Sequence, residues 1–198
     1  MERPLAGLRV VDTTNNCGEL CGRLLSDLGA DVVLIEPPQG STLRQAAPFS
    51  PNNESLGFLW RNANKSGISL DTSTKEGYEE FTHLLNEADI WIESGENLYN
   101  SSIDSIAEMF PHLVITSITP FGSSGPYSGL IANDDVLEAI SGMMFKAGIA
   151  NKTPLLPPTT MATDIASISA AVATVLGFYQ KLRTGVCLLY TSPSPRDS

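Results

Sequence analysis

The chain has few charged residues, and basic residues are the scarcer kind. Charged side chains make up 17% of its 198 residues, with 12 Lys and Arg against 22 Asp and Glu, so the formal net charge is -10. Nucleic acids and anionic membrane surfaces attract proteins through clustered Lys and Arg. The composition therefore argues against nucleic acid and membrane as partners. A phosphorylated small ligand stays possible, because it needs only a few local cations or helix N-termini.

Cysteine and histidine are also scarce. Cys17, Cys21 and Cys187 are an odd number without paired spacing, which is typical of a reducing compartment. His83 and His112 lie in unrelated segments, so buried thiols are predicted and a metal site is not. No secretory signal or transit peptide is recognised at the N-terminus, and no stretch is predicted to span a membrane. We expect an intracellular location, in the cytoplasm or, in a eukaryote, the mitochondrion or peroxisome.

Three common catalytic signatures are missing. The turn at residues 12–18 has one glycine where the dinucleotide-binding fingerprint has three, which argues against a Rossmann-type dehydrogenase. There is no Gly-x-Ser-x-Gly elbow and no histidine placed to activate a serine, which argues against a triad hydrolase. The paired carboxylates of a glycosidase have no sequence signature here either.

Hydrophobic patterning predicts strands that alternate with helices. Short apolar runs predict strands at 8–11, 31–35, 67–71, 88–93 and 113–118. Helical periodicity predicts helices at 20–28, 74–87, 102–110, 133–145 and 165–182, and residues 37–57 are predicted to be a surface loop. We therefore predict an α/β fold with a Rossmann-like, doubly wound, mostly parallel sheet and flanking helices. Ligands bind such folds beyond the carboxyl ends of the strands.

The last predicted helix carries an apolar stripe that we expect to be buried. The stripe consists of Ile168, Ala171, Val172, Val175, Leu176 and Tyr179. After Gly185 the chain has no periodicity. Residues 1–185 are therefore predicted to form one domain, and residues 186–198 a non-native or disordered tail.

Asp164 lies where a Pro-rich loop gives way to that helix, which is predicted to begin at Ile165. A carboxylate at this junction can cap the helix by accepting hydrogen bonds from its first N–H groups, and the local sequence favours that role. It can instead attack an activated acyl group, if donors stabilise the developing oxyanion. The surrounding residues leave both roles open.

Short motifs follow one another in order from Leu5 to Gly185. They are PLAGLRVVD at 4–12, LLSDLGADVVLIEPP at 24–38, NK at 64–65 with LD at 70–71, AD at 88–89 with Glu93, FG at 121–122 with GPY at 125–127, SG at 141–142, ATD at 162–164 and LRTG at 182–185. The ordered set resembles the family III CoA-transferases. That group includes formyl-CoA transferase, carnitine CoA-transferase and alpha-methylacyl-CoA racemase.

The resemblance implies the large-domain part of that fold and a CoA-transferase activity. Asp164 aligns with the family's catalytic aspartate, which carries CoA between an acyl-CoA thioester and a carboxylic acid through an aspartyl intermediate. Coenzyme A and acyl-CoA are then substrates, and neither a covalently bound cofactor nor a metal is expected. The positions that match the family's CoA site are Asn15, Asn16, Cys17, Pro37, Arg44, Asn64, Lys65, Leu70, Ser94 and Gly95.

Departures from the family pattern keep alternatives open. Cys17-Gly18-Glu19 stands where Ala-Gly-Pro is usual, and Ser66 where an Arg commonly follows Asn-Lys. These changes motivate a non-catalytic acyl-CoA-binding paralogue as an alternative. The racemase branch has a His where Asn133 stands, and because Asn cannot transfer protons, transferase is preferred over racemase. Family members continue through a second half and form interlocked homodimers, so the chain is expected to be an inactive N-terminal fragment.

Overall fold

Strands and helices alternate along the chain, as the sequence predicts. The computed structural model describes residues 3–15, 17–95, 98–149, 151–156, 160–185 and 189–191. The strands are β1 (Arg9–Asp12), β2 (Asp31–Glu36), β3 (Ser66–Ser69), β4 (Ile90–Glu93), β5 (Val114–Ser117) and β6 (Leu189–Thr191). The helices are α1 (Glu19–Asp27), α2 (Leu56–Arg61), α3 (Lys75–Glu87), α4 (Ile103–Met109), α5 (Asp134–Ser141) and α6 (Met161–Thr184), with 3-10 turns at Thr42–Gln45 and Met143–Lys146.

The strands form one sheet in the order β3-β2-β1-β4-β5-β6, and every neighbouring pair is parallel. This is the strand order of a doubly wound Rossmann-type sheet, so the predicted fold class is confirmed. Within the predicted tail, Leu189–Thr191 pairs with β5. Residues 186–188 and 192–198 lie outside the described residues, and the origin of the tail stays a prediction.

Apolar side chains cover both faces of the sheet. On one face, Leu25 of α1 and Ala170 of α6 pack against the strands. On the other face, the ring of Phe81 in α3 meets that of Trp91 in β4 edge-on, with centroids 5.4 Å apart, and Ile106 of α4 joins the same cluster. Helices on both faces leave the carboxyl edge of the sheet open to ligands.

Helix α6 packs through its small residues. Its buried residues are Ser167, Ala170, Ala171, Thr174 and Gly177. The Oγ1 atoms of Thr174 and Thr116 in β5 lie 2.8 Å apart and share a hydrogen bond. The predicted buried stripe was wrong for Ile168, Val172, Leu176 and Tyr179, which are about half exposed or more. Both faces of α6 are apolar, and the face with small side chains approaches the sheet more closely.

Helix α6 is also long and apolar enough to cross a membrane, contrary to the expectation from the sequence. A core helix passes the same test of length and composition. In the described residues α6 packs on β5 and α1, and its Thr174 bonds to the sheet. Packing on the sheet therefore accounts for one face of α6, while Ile168, Val172, Leu176 and Tyr179 form an apolar face that is exposed in the described residues.

Helix α2 was not predicted from the sequence. It begins at the end of the loop predicted at 37–57 and continues past it to Arg61. Ser55 caps the helix, because its Oγ accepts a hydrogen bond from the backbone N–H of Phe58 at 3.3 Å. The Phe58 side chain is buried, and Arg61 is the last residue of the helix. The buried Phe58 anchors α2, and Arg61 lies three residues further along the helix.

Candidate active site

The loops that follow β1, β2 and β4 meet at the carboxyl edge of the sheet, where Asn15 joins them. The Asn15 N–H donates to Ser94 Oγ at 2.9 Å, and Ser94 Oγ donates back to the Asn15 carbonyl at 3.2 Å. Asn15 Oδ1 accepts from Ser41 Oγ at 3.2 Å and from the Thr42 N–H at 3.3 Å. The strand order reverses between β1 and β4, and doubly wound folds bind ligands at that point. The structure thus brings Asn15 and Ser94 together.

A pocket of about 300 Å³ lies beside these loops, at the ends of β2 and β3. It is lined by Glu36, Pro37, Pro38, Gly40, Arg44, Gly67, Ile68 and Ser69. Pro37 and Arg44 of the predicted CoA site therefore share one concave surface. Leu70 follows the last lining residue, and its N–H donates to the Glu36 carbonyl at 2.8 Å.

Arg44 is held in this pocket by Glu36. Its Nε and Nη2 donate to the two carboxylate oxygens of Glu36, each at 2.6 Å, and its Cζ lies 3.8 Å from the ring centroid of Phe58. The hydrogen bond from Arg44 lowers the pKa of Glu36, while partial burial opposes that shift. Because the Arg44 side chain is half exposed, its guanidinium remains available to an anionic ligand.

Lys65 lies under the first loop, away from solvent. Its ammonium donates to Asp12 Oδ2 at 2.8 Å, to the Glu19 carbonyl at 2.7 Å and to Asn62 Oδ1 at 2.7 Å. An ammonium has three donors, so each has an acceptor. Asn64 is exposed and donates to Asp27 Oδ1 at 2.6 Å. We interpret Lys65 as a brace for the end of β1 and not as a direct ligand contact.

The remaining predicted CoA residues lie in the two loops at the switch point. Cys17 Sγ donates to the Ile118 carbonyl at 3.3 Å, and burial, with the Glu19 charge, raises the pKa of the Cys17 thiol to about 12. Gly95 is exposed, adopts a left-handed φ of 85° and donates its N–H to Glu93. Asn16 lies outside the described residues. Cys17 therefore contributes to its loop through a buried side chain, and Gly95 contributes through its backbone conformation.

Asp164 does not cap α6, so that prediction was wrong. The helix begins at Met161, and the Asp164 N–H already donates to the Thr160 carbonyl at 3.0 Å. The cap comes from Asp134, whose carboxylate accepts from the N–H of Ala162 at 3.3 Å and from that of Thr163 at 2.8 Å. The Asp164 carboxylate therefore does not act as the cap of α6.

The Asp164 carboxylate instead faces Arg61 of α2. Arg61 Nη2 donates to Asp164 Oδ1 at 2.8 Å and to Oδ2 at 3.1 Å, and it also donates to Thr160 Oγ1. The Asp164 side chain keeps 24% of its surface exposed. An accessible carboxylate in the first turn of a helix, balanced by a single guanidinium, is available for nucleophilic attack.

Arg61 and Asp134 were not singled out from the sequence. Ser55 before the apolar run at 56–60 is a helix-start signal that would have placed Arg61 in a last turn. No comparable signal identifies Asp134, because its contact spans 29 residues to Thr163. Glu138, one turn after Asp134, is 1% exposed, and burial followed by the Asp134 carboxyl raises its pKa. The described residues contain no group of His, Cys, Asp and Glu suited to a metal ion.

The chain is similar in sequence to known CoA-transferases. The family model for CoA-transferase family III matches residues 5–187. A probable CoA-transferase, Rv1866 of Mycobacterium tuberculosis, is 36% identical over 184 residues, which are 89% of this chain and 23% of that protein. The BbsE subunit of succinyl-CoA:(R)-benzylsuccinate CoA-transferase from Thauera aromatica is 33% identical over 193 residues, 93% of this chain and 47% of that protein.

A solved structure shares the fold. A CAIB/BAIF family protein from Brucella suis superposes with a TM-score of 0.88 at 28% identity, over 96% of this chain and 52% of that one. The chain thus spans about half, or less, of the length of the proteins it matches.

Proposed function

The chain belongs to CoA-transferase family III, and on that basis we propose that a full-length protein carrying it moves CoA from an acyl-CoA thioester to a carboxylic acid through an intermediate on Asp164. The observation that carries this proposal is the state of the Asp164 carboxylate. It lies in the first turn of α6 without capping that helix, and Arg61 holds it.

The first half of the reaction follows from carboxylate chemistry. An Asp164 oxygen attacks the thioester carbonyl, the carbon–sulfur bond breaks, and CoA leaves as the thiolate with the electron pair. The product is a mixed anhydride between Asp164 and the acyl group. The thiolate then attacks the aspartyl carbonyl of that anhydride, which gives an Asp164–CoA thioester and releases the donor acid as its carboxylate.

The second half reverses these steps with a different acid. The acceptor carboxylate attacks the aspartyl thioester and displaces the CoA thiolate, which forms a new anhydride. The thiolate then attacks the acceptor's acyl carbonyl, so that the new acyl-CoA leaves and the Asp164 carboxylate is restored. No proton is gained or lost in the cycle.

The CoA moiety is proposed to lie along the carboxyl edge of the sheet. The support is the meeting of three loops on Asn15 and the pocket that contains Pro37 and Arg44. The half-exposed Arg44 guanidinium suits a phosphate oxygen, and Ser94 and Gly95 provide polar groups on the facing loop. Lys65 is proposed to support CoA binding indirectly, because it holds the end of β1 and the loop that follows.

Two alternatives and three further expectations belong to the proposal. A non-catalytic acyl-CoA-binding paralogue would keep the pocket without forming an Asp164 intermediate. A racemase would exchange the substrate's α-proton, but Asn133 has its side chain on the Val136 N–H as the cap of α5. We also expect a homodimer for the full-length protein and a reducing intracellular compartment. We expect no turnover from the 198-residue chain alone.

The test is to trap the intermediate. Full-length protein is incubated with succinyl-CoA and hydroxylamine, and the peptide containing Asp164 is analysed by mass spectrometry for the hydroxamate. We expect modification at Asp164 and none in Asp164→Asn, with Asp135→Asn as a matched control that still reacts. Bound CoA without modification of Asp164 would favour the non-catalytic paralogue, and solvent α-proton exchange without CoA transfer would favour the racemase.

A further inference from the structure

Arg61 holds Asp164 with only one of its three guanidinium nitrogens. Nη2 donates to both Asp164 oxygens and to Thr160, and the guanidinium carbon lies 5.3 Å from the ring centroid of Trp60. Among the residues that the structure describes, Nε and Nη1 donate no hydrogen bond.

A guanidinium with unused donors beside a reactive carboxylate suits a second carboxylate. Arg presents five N–H donors in one plane, and this plane matches carboxylate oxygens. On the basis of the proposed function, we propose that the donors of Arg61 that Asp164 leaves unused bind the reacting carboxylate of the acceptor acid. Arg61 would then be the residue that selects acids and places them against the aspartyl intermediate.

The charge balance around Arg61 changes during the cycle. In the resting protein, the Asp164 carboxylate neutralises the guanidinium, and the negative charge of Asp164 repels a second anion nearby. When Asp164 becomes a thioester, its charge is lost, and Arg61 faces an uncharged carbonyl. Glu19 also lies close enough to Arg61 for their charges to interact, but Glu19 is buried, and burial raises its pKa. The acceptor acid is therefore expected to bind Arg61 once the Asp164 thioester has formed.

The placement is also productive for bond formation. Nη2 lies 2.8 Å from Asp164 Oδ1, so an acid bound to the same guanidinium has its oxygen close to the aspartyl carbonyl carbon. Its lone pair forms the new carbon–oxygen bond as the carbon–sulfur bond breaks, and the CoA thiolate leaves with the electron pair. The binding order follows: acyl-CoA reacts first, and the acid binds afterwards.

Asp164→Asn imitates the uncharged intermediate and separates binding from chemistry. Succinate is titrated by calorimetry into full-length wild type, Asp164→Asn, and Asp164→Asn combined with Arg61→Met. We expect Asp164→Asn to bind succinate more tightly than wild type, and Arg61→Met to weaken that binding about 10- to 100-fold, the effect of a charge-assisted hydrogen bond. Arg9→Met is the matched control, because the exposed Arg9 lies at the opposite, amino end of β1.

Steady-state kinetics provide the second measurement, on protein with Asp164 intact. With glutaryl-CoA as donor, Arg61→Met should raise KM for succinate and leave KM for glutaryl-CoA within about threefold, and Arg61→Lys should restore part of the loss. Equal succinate affinity with and without Arg61 would overturn the proposal. So would faster turnover in Arg61→Met, which would show that Arg61 only covers Asp164. Failure of the CoA-transferase function is distinguished by the absence of an Asp164 hydroxamate in wild type, whatever the calorimetry shows.

Discussion

The carboxylate of Asp134 lies 2.8 Å from the backbone nitrogen of Thr163, so that the first residue of α5 caps the N-terminus of α6. The Thr163 hydroxyl donates to the same oxygen. The capped N–H groups precede Asp164, which lies inside the first turn with its own N–H on the Thr160 carbonyl. Asp164 is therefore not in a capping position, and its carboxylate faces Arg61.

Removal of this cap should affect both stability and chemistry. We expect Asp134→Ala to lower the free energy of unfolding by about 0.5–2 kcal/mol, because two N–H groups of α6 lose their acceptor. The same variant should form the Asp164 hydroxamate more slowly, because the first turn of α6 loosens. Urea unfolding and mass spectrometry of a full-length protein provide the two readouts. Asp135→Ala, an exposed neighbour in the same turn, is the control and should change neither.

Glu138 should make stability depend on pH in a specified direction. Burial raises its pKa above the unfolded value, so the folded protein disfavours the ionised form. The stability associated with neutral Glu138 is present below the unfolded pKa and is lost as the pH rises through the raised folded pKa. We therefore expect Glu138→Gln to melt at a higher temperature than wild type at pH 7 and at the same temperature near pH 4. A difference of the same size at both pH values would contradict this explanation.

Lys65 should prove to be a structural residue. Its side chain and that of Asp12 are 1% and 0% exposed, and removal of one partner leaves a buried charge without compensation. We expect Lys65→Met to lower the free energy of unfolding by about 3–5 kcal/mol. Adding Asp12→Asn should recover part of that loss, as measured by chemical denaturation. Lys65→Met with wild-type stability but no CoA binding would show a direct ligand contact instead.

Arg44 should affect ligand binding more than folding. Arg44→Met is expected to raise KM for acyl-CoA, while its ion pair with Glu36, half exposed at Arg44 and buried at Glu36, contributes about 1 kcal/mol to stability because solvent screens the Arg44 side. Arg44 lowers the pKa of Glu36, so this contribution is present above the unfolded value, about 4.3, and is lost as the pH falls through the folded one. Denaturation at pH 7 and at lower pH would detect the difference. A constant stability loss across that range would mean that stacking on Phe58 carries it.

The strand and helix pattern was predictable because it is local. Runs such as 31–35 and 88–93 are apolar over a few residues, and helical periodicity fills the segments between them. The exceptions are instructive. Helix α2 was missed because its six residues are too short to show a period, and α6 exposes Ile168 and Leu176 because both of its faces are apolar. Periodicity shows that a helix is apolar, and packing decides which face is covered.

The sequence by itself determined the fold class, the family and the identity of Asp164 as the candidate nucleophile, because each rests on short segments or on their order. The tertiary structure alone decided what surrounds that carboxylate. Arg61 reaches Asp164 across 103 residues, and Asp134 caps α6 across 29 residues to Thr163. Such contacts depend on how crossover helices return to one edge of a parallel sheet. No local sequence pattern predicts that geometry. In the folded chain, Asp164 is an accessible carboxylate and not the helix cap that the local sequence favours.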